Sequence, residues 1–184
     1  AIAWKYSVFV ASVQGEKKET LLLSCYHLSD GATLWTHRHA ASTRGEISDY
    51  NSRAAPTPVV DGQRVYAFFE EGDLMVLTHD GDICWERDLR KEYGPFEGNH
   101  GLGASPTLAS SGLIITLDHG GQSWLICLDK QTGNLNWKIP RESSSAWASP
   151  VVIPSNSGEQ ILLSASRSVM AYDAETGKDL WEVG

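Results

Sequence analysis

Methionine is nearly missing (2 residues), cysteine is sparse (3), and Lys plus Arg fall short of Asp plus Glu, 15 against 23. The resulting net charge of −8 and pI near 5.2 leave no basic stripe to neutralise phosphates, which excludes nucleic acid as the expected partner and disfavours an acidic lipid surface. Cys25, Cys84 and Cys127 form no C-x-x-C and no adjacent pair, so neither a disulfide framework nor a covalent haem is expected. Each sits in an apolar stretch and reads as a small buried hydrophobe rather than a reactive thiol. No apolar run approaches the roughly 20 residues of a membrane-spanning helix, and no G-x-x-x-x-G-K-[ST] phosphate loop is present. The chain opens at Ala1 with neither an initiator Met nor a signal-peptide pattern, which reads as a mature chain or an excised piece.

What the sequence does have is turns and tryptophan: 17 Gly, 7 Pro and 7 Trp. Four segments end alike, with Gly four places before Trp: Gly31 and Trp35, Gly81 and Trp85, Gly133 and Trp137, Gly177 and Trp181. The tryptophans fall 50, 52 and 44 residues apart, a spacing in the range of propeller blades. A second marker keeps step. Pro58, Pro106 and Pro150 follow Thr57, Ser105 and Ser149, and the next Trp of the series comes 27, 31 and 31 residues later.

Between these markers each unit reads as four short strands. In the last unit they are predicted over 147–153, 160–165, 168–173 and 179–183. The nearly continuous apolar run Leu113–Leu117 predicts a strand covered on both faces. A proline cannot donate to a sheet ladder, so the first strand of each unit, which carries one, is predicted to be an edge strand, near a channel in a propeller. Asp129 through Thr132 to Gly133, and Asp173 through Thr176 to Gly177, predict tight hairpins in which side-chain oxygens cap nearby amides and glycine supplies a positive φ. The fold class expected is therefore all-β, a propeller of about four four-stranded blades and part of a larger one, with units near 1–38, 54–90, 103–140 and 146–184. The first blade is expected to be incomplete. Ala3-Trp4-Lys5 looks like the fourth strand of a preceding blade and Tyr6–Val10 like a second strand, with a first strand missing between them.

The pattern Ala-x-Asp-x-x-Thr-Gly-x-x-x-Trp resembles the tryptophan-docking motif of the pyrroloquinoline-quinone (PQQ) repeat superfamily, to which quinoprotein alcohol dehydrogenases and BamB-like outer-membrane assembly proteins belong. The last unit matches in full at Ala171, Asp173, Thr176, Gly177 and Trp181, and the third at Asp129, Thr132, Gly133 and Trp137 with Cys127 in the Ala position. The first two are degenerate: Asp30-Gly31 and Asp80-Gly81 replace Thr-Gly, and His27 takes the Asp place in the first. The resemblance implies that Trp35, Trp85, Trp137 and Trp181 dock on neighbouring blades near a turn glycine, a structural role suited to a large flat ring with one N–H.

The resemblance implies two functions. The preferred one is a non-catalytic repeat domain that binds a protein or peptide, in the cell envelope or outer-membrane protein assembly, hence periplasmic or extracytoplasmic. The alternative is a fragment of a PQQ-dependent quinoprotein dehydrogenase, which would bring PQQ and calcium. Under the preferred reading no catalytic, cofactor or metal residues are expected. Candidate partner-facing loops follow Trp35, with His37, His39 and Arg44, and follow Trp85, with Tyr93, Asn99 and His100. His37-x-His39 would set two imidazoles on one strand face, with Glu46 or His100 as a further ligand, but two ligands without a third do not define a metal site. Glu97 and Asp49 as a hydrolytic carboxylate pair are no better defined. Both ends look uncapped, so the 184 residues are expected to form an open arc that needs further chain or self-association.

Overall fold

The computed structural model describes residues 1–43, 52–98, 101–142, 146–165 and 167–184; the described residues are all-β apart from one five-residue helix. Arg44, Glu46, Asp49, Tyr50, Asn99 and His100 lie outside the described residues. Two compact units emerge, one built on Ala1–Pro95 and the other on Leu102–Gly184 with Phe96–Gly98.

The first unit holds two antiparallel meanders. One runs β1 (Ile2–Trp4), β2 (Ser7–Gln14), β3 (Thr20–His27), β4 (Thr33–Ala40); the other runs β5 (Val59–Val60), β6 (Arg64–Phe68), β7 (Asp73–Thr78), β8 (Ile83–Asp88). A helical turn, α1 (Leu89–Tyr93), follows β8, with Asp88 accepting the Lys91 N–H at its start and Gly94 at φ +89° ending it. Alternate residues of the facing strands make the core: Phe9, Leu21, Leu23 and Cys25 from the first sheet, Val65, Ala67, Met75 and Leu77 from the second.

The second unit repeats the plan with β9 (Thr107–Leu108), β10 (Leu113–Leu117), β11 (Ser123–Leu128), β12 (Leu135–Arg141), then β13 (Val151–Ser155), β14 (Gly158–Ser164), β15 (Val169–Asp173), β16 (Asp179–Val183). Ile114, Leu125 and Cys127 pack with Ile161, Leu163 and Tyr172. Every residue of β10 is buried, as its unbroken apolar run predicts.

In all four sheets the ladder between third and fourth strands slips by one residue, and the residue before the slip faces the repeat tryptophan: Cys25 opposite Trp35, Val76 opposite Trp85, Cys127 opposite Trp137, Ala171 opposite Trp181. This is the Ala position of the motif. A small or modest side chain there leaves room beneath the ring, and the bulge re-aims the strand that carries it.

Four expectations need correction. The first sheet is complete: Ala3 and Trp4 belong to its own first strand, which pairs with β2 through Trp4 opposite Ser7, and Lys5 at φ +52° makes the turn. A first strand needs only backbone pairing, so it forms here without the Ser-Pro marker. Cys84 is exposed, whereas Cys25 and Cys127 are buried; β8 is an outer strand whose alternate residues face solvent. His37 and His39 are in β4, not in a loop, because the fourth strand runs five residues past Trp35, and Tyr93 ends α1. The prolines are not inside their strands: Pro58, Pro106 and Pro150 are buried one residue ahead of β5, β9 and β13, all of which are edge strands.

Candidate functional site

Within each unit the two sheets meet along a seam that the fourth-strand tryptophan organises. In the first unit the Trp35 ring rests on Gly81: a Cβ at that glycine would lie 2.9 Å from the indole, and its φ of +95° already excludes most side chains. The Trp35 Nε1–H donates to the His79 carbonyl at 2.8 Å, and the Phe9 ring centroid lies 5.9 Å away. In the second unit a Cβ at Gly177, φ +74°, would meet the Trp137 ring at 2.7 Å. Trp137 Nε1–H donates to the Ala174 carbonyl at 3.3 Å, and Ser111 Oγ donates to the same oxygen at 2.6 Å. Trp181 keeps 42% of its surface exposed, and Trp85 is half-buried on β8.

The receiving turns differ. Asp173 Oδ1 accepts from both the N–H and the Oγ1–H of Thr176, at 2.8 and 2.7 Å, and Asp129 repeats this with Thr132 at 2.7 Å for both. These bonds hold the Asp173 carboxyl below the usual carboxylate range. Gly31 and Gly133 take φ of +71° and +73° in the same kind of turn, and in the first His27 replaces Asp, its Nδ1 2.8 Å from Ser29 Oγ. In the turn of Gly81 a hydroxyl caps instead, with Thr78 Oγ1 accepting from the Asp82 N–H at 3.1 Å.

Polar groups that composition did not single out anchor the incoming chain. Glu70, in the loop after β6, accepts the Ala55 N–H at 2.9 Å and the Ser52 hydroxyl at 3.1 Å; burial pushes its carboxyl up, and those bonds oppose the shift. His119, in the matching loop after β10, accepts the Glu97 and Gly121 N–H groups on Nδ1, both at 3.0 Å, which puts the ring proton on Nε2. Both residues sit after a second strand and fasten the segment that leads to the first. Glu97 itself has an exposed side chain and serves through its backbone. Burial also raises Cys25 and Cys127, which makes both thiols poor nucleophiles. A groove of about 450 Å³ in the second unit is lined by Ser110, Ser111, Ser155, Glu159 and Glu175, but Ser111 and Glu159 are engaged with Ala174 O and Ser110 N. Among the described residues no three His, Cys, Asp or Glu side chains are grouped to hold a metal, and no helix is long and apolar enough to cross a membrane.

A family model described as the outer membrane protein assembly factor BamB matches residues 8–95 and again 78–184. The chain belongs to that family of PQQ-like repeat proteins. Solved structures agree in fold. A quinohemoprotein alcohol dehydrogenase of Pseudomonas putida HK5 superposes with a TM-score of 0.68 at 14% identity over 99% of this chain and 33% of that one. BamB of Moraxella catarrhalis gives 0.57 at 18% identity over 95% and 50%, and the quinohemoprotein alcohol dehydrogenase of Comamonas testosteroni 0.61 at 13% over 100% and 36%. The chain thus spans a third to a half of the length of these neighbours. No curated protein matches it in sequence.

Membership in the PQQ-like repeat family gives the four sheets their architecture, that of propeller blades. It does not choose between a scaffold and a dehydrogenase, since both kinds of protein stand among the neighbours.

Proposed function

We propose that this chain is a non-catalytic array of PQQ-like blades that presents a binding surface for a protein or peptide, in the cell envelope, where BamB-type proteins serve outer-membrane protein assembly. The observation that carries this reading is the BamB family match, which runs through both units in two overlapping registers. Apolar residues exposed on the fourth strands β4 and β8 support it, Leu34 and Ile83. The docking role of Trp35, Trp85, Trp137 and Trp181 belongs to the same reading, supported by the contacts of Trp35 with Gly81 and of Trp137 with Gly177.

The test is a pair of measurements on the purified chain. Calorimetric titration with PQQ and calcium should give no saturable heat, and no alcohol should be oxidised in their presence. Saturation at micromolar cofactor with turnover would establish the dehydrogenase-fragment reading instead. Photo-crosslinkers at exposed Leu34 and Ile83 should trap discrete envelope proteins; uniform absence of adducts would remove the scaffold reading.

A further inference from the structure

Four residues beyond each tryptophan that rests on a turn glycine, on the same face of the fourth strand, the two seams carry different basic side chains. In the second unit the residue is Arg141. Its Nε and Nη2 donate to the two carboxylate oxygens of Asp118 at 3.0 and 3.1 Å, and Nη1 donates to the Tyr172 hydroxyl of the next sheet. Both side chains of the pair are 2% exposed. In the first unit the residue is His39. Its Nδ1 lies 3.0 Å from Glu86 Oε1 and its Nε2 lies 3.8 Å from Asp73 Oδ1. Asp73 opens β7 and Glu86 lies in β8, so one imidazole on the first sheet faces two strands of the second.

The carboxylate at the centre of this contact is short of partners. Asp73 is 3% exposed; Oδ1 accepts the Ser42 N–H at 3.1 Å and the Ser42 hydroxyl also bonds the carboxylate, while Oδ2 is buried with no hydrogen-bond partner. Asp88 lies close enough to add negative charge, and His37 is two residues back on the same face of β4. Among the described residues no lysine or arginine pairs with Asp73 or Glu86: Arg87 is held by Glu92 and Arg90 by Glu71. Carboxylates only accept. A neutral imidazole has one N–H and one lone pair, so it can serve one of these two groups and must present its lone pair to the other. Only the imidazolium serves both.

We propose that His39 is a proton-operated latch on the seam between the first and second sheets: protonated, it ties β4 to both Asp73 and Glu86; neutral, it releases one carboxylate and the seam loosens. A histidine changes charge within the physiological range, whereas the arginine in the matching place of the second unit does not. The two seams thus differ in the property that a pH change can reach. Burial raises the Asp73 carboxyl above the usual range, and the Ser42 hydrogen bonds and the charge of a protonated His39 oppose that shift.

Hydrogen exchange of the whole chain tests this, with protection factors corrected for intrinsic rates at pH 5.5 and 8.5. Protection of the Ser42 amide and of residues 73–88 should fall a few-fold between the two, the scale of one partly exposed ion pair. Residues 135–141 and 169–174 of the second unit should not change. His39→Gln should show the low protection at both pH values, and His39→Arg should keep the high protection at both. A wild-type profile that is flat, or that moves in parallel in both units, overturns the proposal. So does a His39→Gln variant that keeps the wild-type pH dependence; if that variant does not fold, the wild-type profile and His39→Arg still decide.

Discussion

The Trp35 seam of the first unit and the Trp137 seam of the second place an indole on a positive-φ glycine and give its N–H to a carbonyl, yet almost every other part differs. The Trp137 turn has the full motif, with Asp173 and Thr176 locking the loop. The Trp35 turn has Thr78 in the capping place and one residue fewer before its glycine, and still presents the next carbonyl, that of His79, at 2.8 Å. What the two share is therefore what the packing requires: a flat glycine and an accessible carbonyl one residue after the cap. The cap chemistry is a local choice. Around that common contact the first seam is aromatic, with the Phe9 ring 5.9 Å from Trp35 and 5.7 Å from His79 and the Trp4 ring 6.1 Å from His79, and the second is hydrogen-bonded through Ser111, Arg141 and Asp118.

The sharpest way to break the symmetry is at the residue four beyond the ring. Arg141→Ala leaves the Asp118 carboxylate buried and alone, a change expected to cost about 3–5 kcal/mol in urea unfolding. Adding Asp118→Leu should recover most of that loss, because two apolar residues leave no stranded charge. Failure of the second substitution to recover stability would show that Asp118 has a further partner that matters more.

Removing the rings comes next. Trp137→Ala should cost about 3 kcal/mol, at the low end for large aromatic losses because the ring stays partly exposed, and Trp35→Ala should cost a similar amount. If only one seam responds, the contact that looks common to both is energetically real in one alone. Differential scanning calorimetry would read this and report whether the two units unfold in one step or two.

A smaller effect separates ring contact from backbone strain. Gly31, at φ +71°, has nothing within 4 Å of an added Cβ, whereas Gly81 and Gly177 have a tryptophan there. Gly31→Ala should therefore show the left-handed penalty alone, about 1 kcal/mol. Gly81→Ala and Gly177→Ala should each exceed it by about 1–2 kcal/mol, the cost of an overpacked contact. Equal losses at the three positions would mean that the rings shift aside freely.

The architecture was legible because the repeat prints its punctuation. Gly before Trp marks the fourth strand, Ser-Pro or Thr-Pro marks the approach to the first, and the apolar run Leu113–Leu117 marks a strand covered on both faces. The first strand of the first sheet was misread because edge pairing is made by backbone, and Ala3-Trp4-Lys5 carries the tryptophan of one marker without the proline of the other. Glu70, His119, Asp73 and Arg141 were not legible as partners at all. Their contacts join segments 15 to 34 residues apart in chain order, and the equivalence of His39 with Arg141 relates two residue types whose shared feature is a basic nitrogen. Cys84 shows the opposite error, since an apolar neighbourhood in sequence said nothing about which face of an outer strand it would take.

The weakest difference between the seams lies in their turns, and it is a matter of acid. Asp173 accepts two hydrogen bonds from Thr176 and its carboxyl is held below the usual range, so its contribution to stability is present above the unfolded value near 4 and is lost as pH falls through the lower folded value. The group is close to solvent, so after screening the contribution is at most about 0.5 kcal/mol. The Thr78 turn has no carboxylate in that place and should show no such loss. Asp173→Asn should therefore melt a degree or two below the wild type at pH 7, and the gap should close as pH is lowered toward 3. Thr78→Ala should keep a constant gap over the same range. A gap for Asp173→Asn that stays constant with pH would mean that the carboxylate charge adds nothing to the turn, and that the Asp-Thr cap and the Thr cap are equivalent in energy as well as in the geometry they hold.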